Sequence, residues 1–376
     1  MAEVPPPDEQ PLPARPHRHG HSVYEPGEFL GAPPNEVIPE AEVSLARRVL
    51  NLRTIGSVIF GVLLIVLLIN VVGANIGKTV TAISHANPLF LLAAFAVYYL
   101  TFPLRGLRWH FVLGRVGTHV RLLAATEILF LSWFVNCVVP AKLGDLYRAN
   151  LLKANYGASI SRTVGTIFIE RIADIIVIFG LALAAGFWSF RGKNRPEVDA
   201  LFLFGFIVAL VLVALVLALR FQGRRLTRFL PARLADLYER FHEGSTGALT
   251  RRSLPVIIGL TISIWLLEGL RLYFVVRALN LPEVAHLGIS SAIFVALAGS
   301  LLTAIPLTPG GIGFVQAGVI GVLTIYGVAP EFGLAVAATD WAISVFSVIV
   351  LGGILYALSP MVRRAHGVAQ QVPSSH

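Results

Sequence analysis

A short stretch around Pro140 carries side chains whose types and spacing suit the binding of a phosphate group. Lys142 and Arg148 follow the proline, Asn136 precedes it by four residues, and Asp145 lies three residues before Arg148. A guanidinium binds a phosphate as a bidentate fork, whereas an ammonium attracts it as a point charge. We therefore interpret Lys142 and Arg148 as phosphate ligands, and Asn136 and Asp145 as groups that orient them. A solvated cytoplasmic loop is the alternative interpretation.

A second group of charged side chains, from Glu170 to Asp174, lies inside a long apolar segment. Glu170 and Asp174 are four residues apart and can share one helix face, and Arg171 is three residues from Asp174. Charged side chains in membrane segments are costly and are by default candidates for function. We interpret Arg171 as a third phosphate ligand that Glu170 orients. The alternative for Arg171 is snorkelling to the membrane interface.

Three further ionisable residues occupy apolar segments. Glu268 and Arg271 are three residues apart, so they can form an ion pair within one helix, either structural or in contact with a substrate. Asp340 has no basic neighbour in sequence and could pair in space with Arg271 or Arg171. We predict no metal site, no cofactor and no catalytic constellation.

The composition defines the class of protein that positions these residues. The chain has 376 residues, of which 56% are hydrophobic and only 14% charged, with a mean hydropathy of +0.75 and a net charge of +9. A soluble domain has about 25% charged residues. This excludes a soluble enzyme, a nucleic-acid-binding protein and a disordered regulator, and it predicts an all-α polytopic membrane protein.

Apolar segments predict about six full spans together with broken or re-entrant helices. The segments long enough to span a bilayer are 55–73, 88–104, 163–188, 200–220, 255–276 and 332–358. Three further apolar segments, each meeting a Pro or Gly cluster at one end, are 122–140, 289–307 and 310–328.

Basic residues predict the topology, because loops rich in Lys and Arg stay in the cytoplasm. Arg47 precedes the first span and Arg363 follows the last, which predicts cytoplasmic N- and C-termini in the plasma membrane. Basic residues flank 122–140 on both sides, with Arg105 and Arg108 assigned to the cytoplasmic loop before it. A segment with both ends in the cytoplasm is predicted to be re-entrant.

The chain divides into three regions. Residues 1–44 hold 10 of the 22 prolines and eight acidic residues against two arginines, which predicts a disordered, acidic cytoplasmic tail. The membrane domain is predicted at 45–362 and a short cytoplasmic tail at 363–376.

Within the membrane domain, two stretches place a glycine four residues after a proline: Gly144 follows Pro140, and Gly310 follows Pro306. The topology gives them opposite orientations, which predicts an inverted repeat with halves near 46–195 and 199–360. Paired Pro- and Gly-interrupted segments are the best sequence indication of a transporter's binding site. We expect Pro306, Gly310 and Gly311 to belong to the site, with the glycines, Gly144 included, permitting close approach and hinge-like movement.

These residues resemble the lysylphosphatidylglycerol synthase transmembrane region family, also called flippase-like or UPF0104. Four elements carry the resemblance: Arg105-x-x-Arg108-Trp109, Asn136-x-x-x-Pro140-Ala141-Lys142-x-Gly144-Asp145-x-x-Arg148, Glu170-Arg171-x-x-Asp174 and Pro306-x-x-Pro309-Gly310-Gly311-x-Gly313. The resemblance implies a domain that moves a lipid between leaflets. Some members carry a synthase domain, which this chain lacks, so no aminoacyl transfer is expected. Others stand alone or accompany polyprenyl-linked glycosyl transfer.

The chain departs from the family pattern at two positions of the second half. Gln316 replaces a frequent Glu, and Trp341 replaces a frequent Arg. Both changes remove charge, so we expect the first half to carry the ligand-binding site.

Three hypotheses follow. The first is a flippase that binds an anionic phospholipid or a polyprenyl-phosphate lipid. The second is a non-transporting scaffold that assists a glycosyltransferase or lipid-modifying enzyme. The third is an intramembrane enzyme with Glu170 and Asp174 as acid and base, which we rank last. A homo-oligomer is compatible with each of them.

Overall fold

The computed structural model describes residues 52–140, 142–191, 232–247, 249–284, 287–302 and 308–370, with six single positions between 203 and 214. The regular elements in these ranges are helices. The predicted tail 1–44, Pro306, nearly all of the predicted span 200–220 and the last six residues of the tail 363–376 lie outside the described residues.

Thirteen α-helices are present in the described ranges. They are α1 (Leu52–Val72), α2 (Ile76–Ser84), α3 (Pro88–Arg115), α4 (Leu122–Val138), α5 (Leu143–Tyr156), α6 (Ile160–Ser189), α7 (Ala232–Gly247), α8 (Leu254–Leu279), α9 (Ile289–Leu302), α10 (Phe314–Ile325), α11 (Pro330–Trp341), α12 (Ser347–Leu358) and α13 (Pro360–Gln370). A π-helical turn, Ala342–Phe346, joins α11 to α12, and a 3₁₀ turn, Pro309–Gly311, precedes α10.

Four helical stretches in the described part of the chain are long and apolar enough to cross a membrane. They are Thr54–Val71, Pro88–Arg115, Leu254–Leu279 and Pro330–Leu358. Helix α6 has 30 residues, a length of about 45 Å, which also exceeds the bilayer core although the helix carries several charges. The fold is therefore that of an all-α polytopic membrane protein, which confirms the predicted class.

Helix α3 corrects one sequence interpretation. The second span was predicted to end at residue 104, with Arg105 and Arg108 in a cytoplasmic loop, but α3 continues through Pro103 to Arg115. Both guanidiniums are buried inside the protein rather than placed at its edge. Membrane helices tolerate an internal proline where neighbouring helices cover the backbone, and paired carboxylates offset the cost of burying these charges.

Two pairs of short helices form the predicted broken segments. Helices α4 and α5 have 17 and 14 residues, and α9 and α10 have 14 and 12. A helix of 14 residues is about 21 Å long and falls short of a bilayer core of about 30 Å. Each pair therefore places an interruption of the helix inside the membrane domain.

The first break is held by close contact between α4 and the start of α5. A side chain at Gly144 would lie 2.0 Å from the carbonyl oxygen of Ser132, so only glycine fits there. The Ser132 hydroxyl donates to the carbonyl of Gly144 at 2.8 Å, and the Gly144 amide donates to Oδ1 of Asn136 at 2.9 Å. Lys142, just before α5, has a left-handed backbone with φ 52°.

Helices α3 and α8 form the largest helix contact in the centre of the protein, and they run antiparallel. The Asn87 amide at the start of α3 donates to the carbonyl of Ala278 at the end of α8, at 2.7 Å. Near the opposite ends, Arg108 of α3 donates to the hydroxyl of Thr261 in α8 at 2.8 Å. Antiparallel packing of the second long helix of each proposed half is the arrangement that an inverted repeat requires.

Other helix contacts also cross between the proposed halves. Helix α6 of the first half packs against α9 of the second, and α12 of the second half packs against α4 of the first. A constant offset of 166 residues also relates matching positions: Arg105 and Arg271, Pro140 and Pro306, Gly144 and Gly310, and Asp174 and Asp340. These observations support the repeat. Its boundary at 195–199 falls outside the described residues.

Candidate functional site

A cavity of about 340 Å³ lies between the two helix breaks. Its lining combines residues of both breaks with charged residues of the long helices and several aromatic side chains. The predicted site residues that line it are Asn136, Lys142, Asp145, Arg171, Asp174, Glu268, Arg271, Gly310, Gly311, Gln316 and Asp340. The fold thus brings together eleven of the predicted residues from segments far apart in sequence.

One charged network is centred on Arg108 of α3. Its Nη1 donates to Oδ1 of Asp174 at 2.6 Å, Nη2 donates to Oδ2 at 3.2 Å, and Nε donates to Oε1 of Glu170 at 3.3 Å. Arg148 donates to the other oxygen of Glu170 at 2.8 Å, and its guanidinium lies 3.7 Å from the ring centroid of Trp109. All four charged side chains are buried, so each charge is compensated without solvent.

Arg171 and Asp145 form a second, more accessible ion pair at the cavity. Nη2 of Arg171 donates to Oδ1 of Asp145 at 2.7 Å and Nε donates to Oδ2 at 3.1 Å, a bidentate geometry. Their side chains are 31% and 20% exposed, whereas those of Arg108 and Arg148 are each 4% exposed. Arg171 is therefore more accessible to a ligand than Arg108 or Arg148.

The second charged network joins α3 with α8 and α11. Glu268 accepts from Arg105 at 2.8 Å and from Arg271 at 3.2 Å, and Arg271 also binds Asp340. The ion pair between Glu268 and Arg271 confirms the prediction that two residues spaced three apart pair within one helix. Asp340 pairs with Arg271 rather than Arg171, which resolves the alternatives that the sequence left open.

Aromatic side chains line the cavity around both networks, and the sequence interpretation did not include them. Trp265 donates from Nε1 to Oδ1 of Asp174 at 3.1 Å, and the guanidinium of Arg105 lies 5.4 Å from its ring centroid. Arg105 also lies 4.7 Å from the centroid of Trp133, a cation–π contact. Tyr98 donates from its hydroxyl to the carbonyl of Ser344, in the π-helical turn, at 2.7 Å. Trp133 and Trp265 have no charged neighbour in sequence, so no local signal marks them as cavity residues.

Five predicted residues lie behind the cavity lining: Arg105, Arg108, Gly144, Arg148 and Glu170. The predicted roles of Arg148 and Asp145 need correction. Arg148 is held by Glu170 and Trp109, so it supports the fold instead of reaching a ligand, and Asp145 orients Arg171 instead of Arg148. The one other predicted site residue, Pro306, lies outside the described residues.

The polar groups of the lining that have no partner in the described part of the chain include an ammonium and an indole N–H. The ammonium of Lys142 has no ion pair or hydrogen bond there, although Asp145 lies three residues away. The indole Nε1 of Trp341 is buried and makes no hydrogen bond among the described residues. An unpartnered ammonium and an unpartnered N–H in one cavity are suited to an anion. Within the same residues, no group of three or more His, Cys, Asp or Glu side chains is arranged to hold a metal ion.

The fold and the cavity together define a multi-pass helical membrane protein with a charged interior site between two broken helices. The family model described as the lysylphosphatidylglycerol synthase transmembrane region matches residues 54–352. The chain belongs to this family, which confirms the resemblance found in its motifs.

Individual relatives agree with this assignment. A UPF0104 membrane protein of Methanocaldococcus jannaschii is 35% identical over 223 residues, 59% of this chain and 93% of that protein. A UPF0104 membrane protein of Methanothermobacter thermautotrophicus is 27% identical over 314 residues, 78% of this chain and 90% of that protein. The glycosyltransferase AglD of Haloferax volcanii is 26% identical over 341 residues, 81% of this chain but only 54% of that protein.

Proposed function

We propose that this protein binds a lipid through the phosphate of its head group, in the cavity between the helix breaks, and moves it between the two leaflets. An anionic phospholipid and a polyprenyl-phosphate lipid are the two candidate ligand classes. The observation that carries the proposal is the unpartnered ammonium of Lys142 in a cavity whose other charges are paired. A partly buried ammonium without an ion pair or hydrogen bond is costly, and a bound phosphate would offset that cost.

The neighbouring residues have supporting roles in this proposal. Arg171 is held in a bidentate pair by Asp145 and can turn one N–H toward a phosphate beside Lys142. Asn136 fixes the break through its hydrogen bond to Gly144, which keeps Lys142 at the cavity. Broken helices at a repeat interface are the common binding architecture of transporters whose halves alternate around a central site.

Catalysis on the head group has less support than transport. Glu170 and Asp174, the candidate acid and base, both accept hydrogen bonds from Arg108, and Glu170 does not line the cavity. We therefore propose a role without chemical turnover.

The membrane orientation is part of the proposal. We place the protein in the plasma membrane with both termini in the cytoplasm. Arg105 and Arg108 are buried, so they no longer indicate the topology. The end of α3 is still assigned to the cytoplasm by two other basic residues, Arg115 and Arg121. The antiparallel α8 then begins on the same side, next to Arg251 and Arg252.

Reconstitution into liposomes tests the transport proposal. Fluorescent phosphatidylglycerol placed in the outer leaflet should become protected from a membrane-impermeant quencher at a rate that depends on the protein. Lys142→Gln should lower this rate about tenfold or more, because a charge-assisted contact to the phosphate is lost. Lys78→Gln, which removes a lysine paired with Glu331 at 3.0 Å outside the cavity, is the matched control. Equal rates for wild type and Lys142→Gln would contradict the proposal.

A second candidate function is supported by the relative AglD. The chain matches about half of a protein named as a glycosyltransferase, so this membrane region could serve as a scaffold for such an enzyme. Purification in mild detergent distinguishes the two: the scaffold predicts a stoichiometric glycosyltransferase or lipid-modifying partner and no protein-dependent lipid movement. The same preparation shows whether the protein is a homo-oligomer.

A further inference from the structure

The charges of the two networks and of the Arg171–Asp145 pair sum to zero. Within the described residues, five guanidiniums are paired with five carboxylates, and each has at least one partner of opposite charge. These ten residues are Arg105, Arg108, Arg148, Arg171, Arg271, Asp145, Glu170, Asp174, Glu268 and Asp340. The networks by themselves therefore contribute no net charge to the cavity.

Lys142 adds a single positive charge to this balanced set. It lines the cavity and has no ion pair or hydrogen bond among the described residues. The undescribed residues next to the two breaks, 141 and 303–307, contain no ionisable side chain, so they do not alter the sum. Among the described residues and these neighbours, one unpaired charge is thus available to a ligand in the cavity.

The second half of the cavity offers neutral donors in place of a second cation. Nε1 of Trp341 is buried there without a partner. Gln316 uses Oε1 to accept from the Gly313 amide at 2.7 Å, which leaves its two amide N–H donors for other contacts. A phosphate could receive one charge-assisted contact from Lys142 and neutral hydrogen bonds from Trp341 and Gln316.

We propose, on the basis of the proposed lipid-binding function, that the cavity selects head groups whose phosphate carries a single negative charge. Phosphodiesters meet this condition, and phosphomonoesters and pyrophosphates do not. A phosphomonoester carries about −1.5 to −2 charges near neutral pH. Its excess charge would be buried without a counter-ion among groups that are already paired, which is strongly unfavourable.

Two lipids that differ by one methyl group test this selectivity. Phosphatidylmethanol is a phosphodiester and phosphatidic acid is the corresponding monoester, with the same acyl chains. Each is offered to the delipidated protein in dodecyl maltoside micelles, which contain no phosphate group, and the lipid that stays bound after unbound lipid is removed is quantified by mass spectrometry. Wild type should prefer the diester by about tenfold, and Lys142→Gln should retain neither.

A second positive charge in the cavity should change the preference. Trp341→Arg adds a guanidinium where the neutral N–H lies, and Thr308→Lys adds an ammonium 166 residues from Lys142, at its matching position. Either variant should favour phosphatidic acid by about tenfold. Trp188→Arg, at an exposed Trp near the end of α6, is the matched control and should keep the wild-type preference.

The outcomes separate this inference from the proposed function. If wild type retains both lipids equally or prefers phosphatidic acid, the selectivity is wrong and lipid binding stands. If the wild type retains neither lipid, both proposals fail. If folded Trp341→Arg and Thr308→Lys proteins keep the wild-type preference, the charge of the cavity does not set the selectivity and the inference is overturned.

Discussion

The two halves of the molecule share a framework but differ in charge. At the offset of 166 residues, both halves have an arginine on the second long helix (Arg105 and Arg271) and an aspartate on the last one (Asp174 and Asp340). Arg271 binds Asp340 within its own half, whereas Arg105 crosses to Glu268 and leaves Asp174 to Arg108. The matched positions therefore form different pairs.

The charges that the first half adds have neutral counterparts in the second. The matched positions are Arg108 and Phe274, Lys142 and Thr308, Glu170 and Val336, and Arg171 and Ala337. Conversely, the charged Glu268 of the second half matches the neutral Phe102 of the first half. The comparison teaches that the repeat supplies the architecture, while the unpaired cation of the cavity, Lys142, comes from the first half of the described chain.

The largest expected effect is the loss of a carboxylate that only the first half has. Glu170→Gln leaves Arg108 and Arg148 without one shared buried partner, and we expect the free energy of unfolding to fall by about 3–5 kcal/mol. Asp340→Asn should cost less, about 2 kcal/mol, because Arg271 keeps Glu268. Titration with SDS in mixed micelles measures both, and equal losses would show that the halves are energetically alike.

The next largest effects are expected at the two helix breaks. Gly144→Ala places a Cβ 2.0 Å from a backbone oxygen, and we expect a loss of about 3 kcal/mol because the backbone must move. A Cβ at Gly310, whose φ is 60°, would lie 3.0 Å from its nearest atom, which belongs to the Val345 side chain. Gly310→Ala should therefore cost about 1 kcal/mol, mainly for the left-handed conformation. Thermal unfolding in detergent ranks them, and a reversed order would refute the tight-contact account of the first break.

The smallest effect concerns two indole N–H groups. Trp265→Phe removes the hydrogen bond to Asp174 and should lower the free energy of unfolding by about 1 kcal/mol. Trp341→Phe removes an N–H without a partner in the described chain and should leave stability unchanged in the absence of lipid. Differential scanning fluorimetry of delipidated protein compares the two variants. A clear loss at Trp341 would mean that its N–H already serves the fold.

Sequence reasoning succeeded where the relevant interaction is local or compositional. The pair Glu268–Arg271 follows from helical spacing, and the class of protein follows from the scarcity of charge. It failed at α3, where an internal proline and two arginines resemble the end of a span. Arg105 and Arg108 are inside because carboxylates 163 and 66 residues away in sequence compensate them, and no local pattern reports such partners.

The sequence by itself determined that the protein is a polytopic membrane protein with two broken, repeated segments, because hydropathy and Pro–Gly spacing are properties of the chain alone. Only the tertiary structure decided which cations are neutralised. Arg148 and Lys142 are six residues apart on one segment, yet Arg148 is bound by Glu170 and Lys142 has no partner in the described chain. Pairing depends on which helix faces meet across the bundle, and that is set by packing rather than by spacing.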